Sequence, residues 1–185
     1  LPFDFNAQAE TIQRYIKEVV KLADTMREKT EFKNQLIAEG RYKKAADPKR
    51  KYIQPLPEKP VPHINFAPLL NAGQNLQASA TQFHKILVAK KTTLTPARLK
   101  KLNQQIYQTE RALVHAEGLP RRPWFRHQIY APGFYTGYGV KTLPGIREAI
   151  ESRNWKETAE QIKITTAALN RLSEQLAIDP SFSTR

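Results

Sequence analysis

The chain has 185 residues, with 30 Lys and Arg against 17 Asp and Glu, a formal charge of +13 at pH 7. A hydrophobic content of 40% and a charged content of 25% are those of globular chains, and no apolar run approaches the roughly 20 residues of a membrane helix. The absence of cysteine excludes disulfides, thiolate zinc sites and cysteine nucleophiles together.

The opening Leu1-Pro2-Phe3-Asp4 has neither an initiating Met nor the pattern of a signal peptide, so the chain is expected to be part of a longer protein. Ile12, Tyr15, Ile16, Val19, Ala23 and Met26 recur at steps of three and four, which predicts a first helix from about Ala7 to Ala38, stopped at Gly40. Residues 41–68 are basic and proline-rich. Arg41, Lys43, Lys44, Lys49, Arg50 and Lys51 share this segment with Pro48, Pro55, Pro57, Pro60, Pro62 and Pro68. Extended backbone is expected from Asp47 to Pro68, and the segment is either a strap over the bundle or a loop.

A second helix is predicted from Leu69 to Lys90, where Leu69, Leu76 and Phe83 stand seven apart with Ala80 and Leu87 completing the seam. Thr95 then offers an N-cap with Pro96 at the first helical position. The third helix is expected to carry Leu99, Leu102, Ile106, Leu113 and Ala116 on one face and to end at Gly118. Irregular chain follows over 119–143, and then a short helix, Pro144 to Ser152, presenting Ile146, Ala149 and Ile150. Asn154 caps a last helix lined by Ile162, Thr165, Leu169, Leu172 and Leu176 and stopped by Pro180. The expected fold is all-α: one domain over 1–185, a bundle of four main helices plus a short one. Helices this long exceed what a compact bundle needs, so part of an apolar face is expected to meet a partner.

Chemistry is sparse. His63, His84, His115 and His127 have no metal-ligand spacing, and no HExxH, GxSxG, Walker or GxGxxG pattern occurs. No catalytic residue, metal ligand or cofactor site is expected in the chain itself. The charge clusters, a third of which holds Arg121, Arg122 and Arg126, read first as solvated faces. The alternative is a stand-alone basic module that binds nucleic acid or an acidic protein.

One stretch stands apart: "IYAPGFYTGYGVKTLPGI", Ile129 to Ile146. Six of the 17 aromatic residues fall between Trp124 and Tyr138. A phosphate cradle lacks its preceding strand and its lysine. A base-stacking platform remains open beside the leading expectation, in which Tyr130, Phe134 and Tyr135 are buried anchors for irregular backbone and Arg126, His127 and Pro132 support them. His127 is expected to hydrogen-bond to backbone.

These residues also carry a resemblance. "LPRRPWFRHQIYAPGFYTGYGVKTLPGI", Leu119 to Ile146, resembles the C-terminal segment of the glutamate carboxypeptidase II and transferrin receptor family. The matching features are Gly118-Leu119-Pro120, Arg122-Pro123-Trp124, Arg126-His127, Ile129 to Pro132, and Pro144-Gly145-Ile146. The upstream Glu110-Arg111 pair and the opening "LPFDF" are similar to the family as well, while residues from Arg41 to Pro68 match weakly.

The resemblance implies a non-catalytic helical dimerisation domain whose partners are a second copy and the peptidase domain of its own chain. Zinc would lie in that other domain, the parent would be an exopeptidase acting on a peptide, and its location would be extracytoplasmic. No nucleic acid is expected as a partner. The resemblance also places a substrate-gripping Lys-Tyr pair at Gly137 and Tyr138, so the tyrosine is kept and the cation is missing. Lys141 would replace it only along a different backbone path.

Overall fold

Asp4 starts the first helix. Its Oδ1 accepts from the Ala7 amide at 3.0 Å, a side-chain cap that begins α1 at Phe5 rather than at the expected Ala7. A computed structural model describes residues 3–90, 95–137 and 139–177. Within it α1 spans Phe5–Ala38, α2 Arg41–Lys44, α3 Ala67–Lys90, α4 Pro96–Ala112, α5 Pro144–Glu151 and α6 Trp155–Leu176. A small antiparallel sheet joins β1, Tyr130–Pro132, to β2, Val140–Thr142.

The helices stand in the order α1, α3, α6, α4, with α5 wedged against α6 and α1. The apolar stripe of α1 (Phe5, Ala9, Ile12, Ile16, Val19, Ala23) is buried on Leu69, Leu76, Ala80 and Phe83 of α3. Phe5 meets Phe83 edge-to-face, with ring centroids 5.2 Å apart. Leu169, Leu172 and Leu176 of α6 complete the core with Leu102, Ile106 and Leu113. The fold is therefore the all-α bundle expected; the small sheet and α2 are additions to it, and two further boundaries differ.

First, α4 stops at Ala112 although Leu113 and Ala116 keep the helical period. Arg171 of α6 donates from Nε to the Ala112 carbonyl and from a terminal nitrogen to the Val114 carbonyl, each at 3.2 Å. A cation at a helix C-terminus satisfies carbonyls that another turn would have used. The chain then pairs with its own return. The His115 amide donates to the Arg126 carbonyl and the Gln128 amide to the Leu113 carbonyl, both at 2.9 Å. Leu99, in the first turn of α4, faces solvent instead of the core. Second, Pro68 belongs to the first turn of α3 rather than to the extended segment, because proline is accepted there without losing a helical hydrogen bond. The expected stop at Pro180 lies outside the described residues.

From Glu58 to Phe66 the proline-rich segment is a docked strap. Asn34 and Glu58 exchange two hydrogen bonds of 2.8 Å, side-chain amide to backbone in each direction, which imitates a strand pair. Arg153 donates to the Lys59 carbonyl at 3.1 Å, and Val61 and Phe66 are buried. Glu58 also pairs with Lys33 and Arg153. The hydrogen bond from Lys33, reinforced by the charges of Lys33 and Arg153, holds the Glu58 carboxyl below its ordinary range.

Candidate functional site: a braced aromatic hairpin

The irregular segment after α4 builds its geometry around Gly118. This residue takes φ +72, and a Cβ there would lie 2.2 Å from the carbonyl oxygen of Pro123. Only glycine fits so close an approach. The turn it permits closes through Leu119 amide to Phe125 carbonyl at 2.8 Å and Arg122 amide to Leu119 carbonyl at 3.1 Å. It also sends Arg121 and Arg122 toward different carboxylates. Arg121 grips Glu157 with two hydrogen bonds of 2.8 and 2.9 Å near the surface. Arg122 grips Glu148 of α5 with bonds of 2.8 and 3.0 Å, and these side chains are only 2% and 5% exposed. This bidentate geometry is the strongest form of such a pair.

Glu148 has a second task. Its Oε1 accepts from the Phe134 amide at 2.8 Å, tying the hairpin to α5. Two neighbours on the same helix do likewise. Arg147 donates to the Thr142 carbonyl at 3.0 Å, to its hydroxyl at 2.7 Å and to Glu18 of α1 at 2.8 Å. Glu151 pairs with Lys141. The opposite face of α5 buries Ile146, Ala149 and Ile150 in the core. A helix of eight residues thus couples the hairpin to the bundle on one face and the core on the other.

The hairpin register pairs Tyr130 with Thr142, Ala131 with Lys141 and Pro132 with Val140. Beyond it the Gly133 amide donates to the Gly139 carbonyl at 2.9 Å, and the Gly139 amide to the Thr136 carbonyl at 3.0 Å. Gly137, inside that turn, takes φ +58 with open space where a Cβ would stand. Tyr138 lies outside the described residues.

The aromatic rings expected to be buried anchors point outward instead. Tyr135 is 84% exposed, and Phe134, Tyr130 and Trp124 are exposed as well. The anchors are Ile129, Ala131, Leu119 and Leu143, together with the Arg122–Glu148 pair. Aliphatic side chains and a neutralised ion pair fill the volume, which leaves the rings for the surface. Phe134 rests on the guanidinium groups of Arg121 and Arg122, whose carbons lie 5.7 and 5.8 Å from its ring centre. Tyr135 meets Phe134 edge-on at 4.7 Å.

His127 does bond to backbone. Its Nδ1 accepts from the Ile129 and Tyr130 amides at 3.3 and 3.4 Å, so Nε2 carries the proton and donates to Glu110 at 2.9 Å. Its ring lies 4.1 Å from that of Tyr130, whose hydroxyl is pushed above its ordinary pKa by burial and by the Glu110 charge. Arg126 is exposed, and Pro132 is half-buried in β1. Lys141 is held by Glu151 and does not reach toward the tip. Among the described residues no three His, Asp or Glu side chains converge as metal ligands.

A helical bundle carrying this hairpin has known relatives. The family model of the transferrin receptor-like dimerisation domain matches residues 64–177. The chain belongs to that family. The matched part of this dimerisation domain holds α3 to α6 and the hairpin. The resemblance read at "LPFDF" falls outside it.

The domain is similar to a probable glutamate carboxypeptidase of Arabidopsis thaliana, 29% identical over 118 residues, 60% of this chain and 17% of that protein. It is similar to a probable glutamate carboxypeptidase of Arthroderma benhamiae, 29% identical over 109 residues, 58% of this chain and 15% of that protein. It is also similar to aminopeptidase NAALADL1 of Mus musculus, 28% identical over 116 residues, 58% of this chain and 15% of that protein. The chain spans less than a fifth of the length of these relatives.

Proposed function

We propose that this chain is the homodimerisation domain of a zinc-dependent exopeptidase and that its hairpin completes the substrate pocket of the peptidase domain. The observation that carries the reading is the hairpin tip, which presents apolar rings outward from a brace buried in the domain's own core. A surface of this kind has no use within the bundle and suits a neighbouring domain. The relatives are named as carboxypeptidases and an aminopeptidase, which supports a peptidase parent. Self-association is supported by the family and by a groove of about 690 Å³ along α4, where Phe3, Pro96, Leu99 and Tyr107 leave apolar surface uncovered. In this reading zinc is held by the peptidase domain, as the resemblance implies.

Nucleic acid is disfavoured as the hairpin's partner. Arg121 and Arg122, which would meet phosphate, are both occupied by carboxylates. The same accounting bears on specificity. Gly137 supplies no cation and Lys141 is engaged elsewhere, so the pocket has no strict preference for a C-terminal glutamate.

Tyr138 remains the residue proposed to reach the substrate as a hydrogen-bond donor. In the full-length enzyme Tyr138→Phe raises KM roughly tenfold or more, the equivalent of about 1.5–3 kcal/mol for a bond to a charged group, with the thermal unfolding midpoint unchanged. Unaltered kinetics with a lowered midpoint would return the hairpin to a packing role.

A further inference from the structure

From Ala38 through Leu56 no residue is buried. This tip includes the end of α1, the single-turn α2 and the first part of the proline-rich segment, and it precedes the family-matched residues. Both of its ends are fixed, one by α1 and the other by the exchange of hydrogen bonds between Glu58 and Asn34. It is therefore held away from the core rather than lying on it.

We propose that this tip is a peripheral patch for an anionic lipid surface, independent of the hairpin and of the reading given for it. Arg41, Lys43, Lys44, Lys49, Arg50 and Lys51 are all exposed. Glu39 pairs with Arg41 at 3.0 Å and Asp47 with Arg50 at 3.6 Å. Lys43, Lys49 and Lys51 form no ion pair among the described residues, and Lys44 only adds its charge to the field at Glu39. Directly after the cations come two aliphatic side chains that the fold leaves in water, Ile53 at 79% and Leu56 at 83% exposure. Pro55 and Pro57 keep the backbone around Leu56 extended, so these side chains cannot be gathered into a helix face.

The combination selects the partner. A second copy docked tip to tip would set lysines against lysines. Nucleic acid would satisfy the cations and give Ile53 and Leu56 nothing to enter. A bilayer with anionic headgroups offers both, since the lysines reach the charged layer while the aliphatic side chains enter the boundary of the acyl region. Tyr42 and Tyr52, exposed and half-buried beside them, are side chains suited to that depth.

The test is co-sedimentation of the full-length protein with vesicles. Vesicles of phosphatidylglycerol and phosphatidylcholine in equal parts bind it, and phosphatidylcholine alone does not. Reversing Lys43, Lys44, Lys49 and Lys51 to Glu weakens binding by about a thousandfold or more, since each cation near a charged surface contributes about 1 kcal/mol. Ile53→Ser with Leu56→Ser weakens it about tenfold while the salt dependence stays. None of these side chains is buried, so helix content by circular dichroism is unchanged. Lys156→Glu with Lys163→Glu on α6, outside the tip, changes vesicle binding less than about twofold. The proposal is overturned by no binding to the mixed vesicles, or by an equal loss from the α6 reversals. It is also overturned if the Ile53 and Leu56 changes have no effect, or if random-sequence DNA displaces the vesicles.

Discussion

Arg122→Ala lowers the unfolding free energy by about 3–5 kcal/mol, because it strands the Glu148 carboxylate in a site that is 5% exposed. The cost is larger than that of a surface pair, where the two charges separate into water for about 0–1 kcal/mol. Arg121→Ala serves as the comparison within the same loop, since its bridge to Glu157 lies at the surface, with the Arg121 side chain 41% exposed. Replacing both buried partners, Arg122→Met with Glu148→Met, recovers most of the loss, as buried ion pairs exchanged for apolar groups of similar volume are close to neutral. The recovery remains incomplete because the Phe134 amide loses its acceptor. Urea unfolding of the three variants gives the ordering directly, and an Arg122→Ala variant as mildly affected as Arg121→Ala would contradict the role assigned to the pair.

Gly118→Ala costs about 2–5 kcal/mol, the second large effect. Two terms add. Left-handed backbone strains an L-residue by about 1–2 kcal/mol, and forcing a methyl into a filled site costs about 1–3 kcal/mol. The methyl would stand 2.2 Å from the Pro123 carbonyl oxygen and 2.6 Å from its carbonyl carbon and Cα, all of them backbone atoms that cannot rotate away. Gly137→Ala is the control, with the same sign of φ and open space around the added carbon, so only the first term applies. Equal midpoints in urea for the two glycine variants would show that the close approach at Gly118 is not restrictive.

The helices were legible where burial repeats with the helical period. Ile12, Ile16, Val19 and Ala23 on α1, and Leu69, Leu76 and Phe83 on α3, lie in the core where their spacing places them. The end of α4 was not legible, because Leu113 and Ala116 continue the period by coincidence. The signal that ends the helix is Arg171, which is remote in sequence. The small sheet was hidden for a related reason. Strands of three residues containing Pro132 and flanked by glycines carry no alternation to detect.

At the site, composition drew attention to the aromatic stretch and misjudged what anchors it. Nothing in the sequence separates Arg122 from Arg121 or Arg126. The available clue was Glu148, set among Ile146, Ala149 and Ile150 on α5. A carboxylate in that setting needs a buried cation, and the loop rich in arginine was the nearest source. Gly137 was legible as the missing cation only through resemblance, and its left-handed backbone explains why glycine suits the turn.

The central claim is that this domain pairs two copies of a longer chain. Sedimentation velocity of the full-length protein at micromolar concentration tests it without reference to substrate. The account predicts a single species with the mass of two chains, loosened by charge introduced into the α4 groove through Leu99→Asp with Tyr107→Asp. A full-length protein that sediments as a monomer would contradict it.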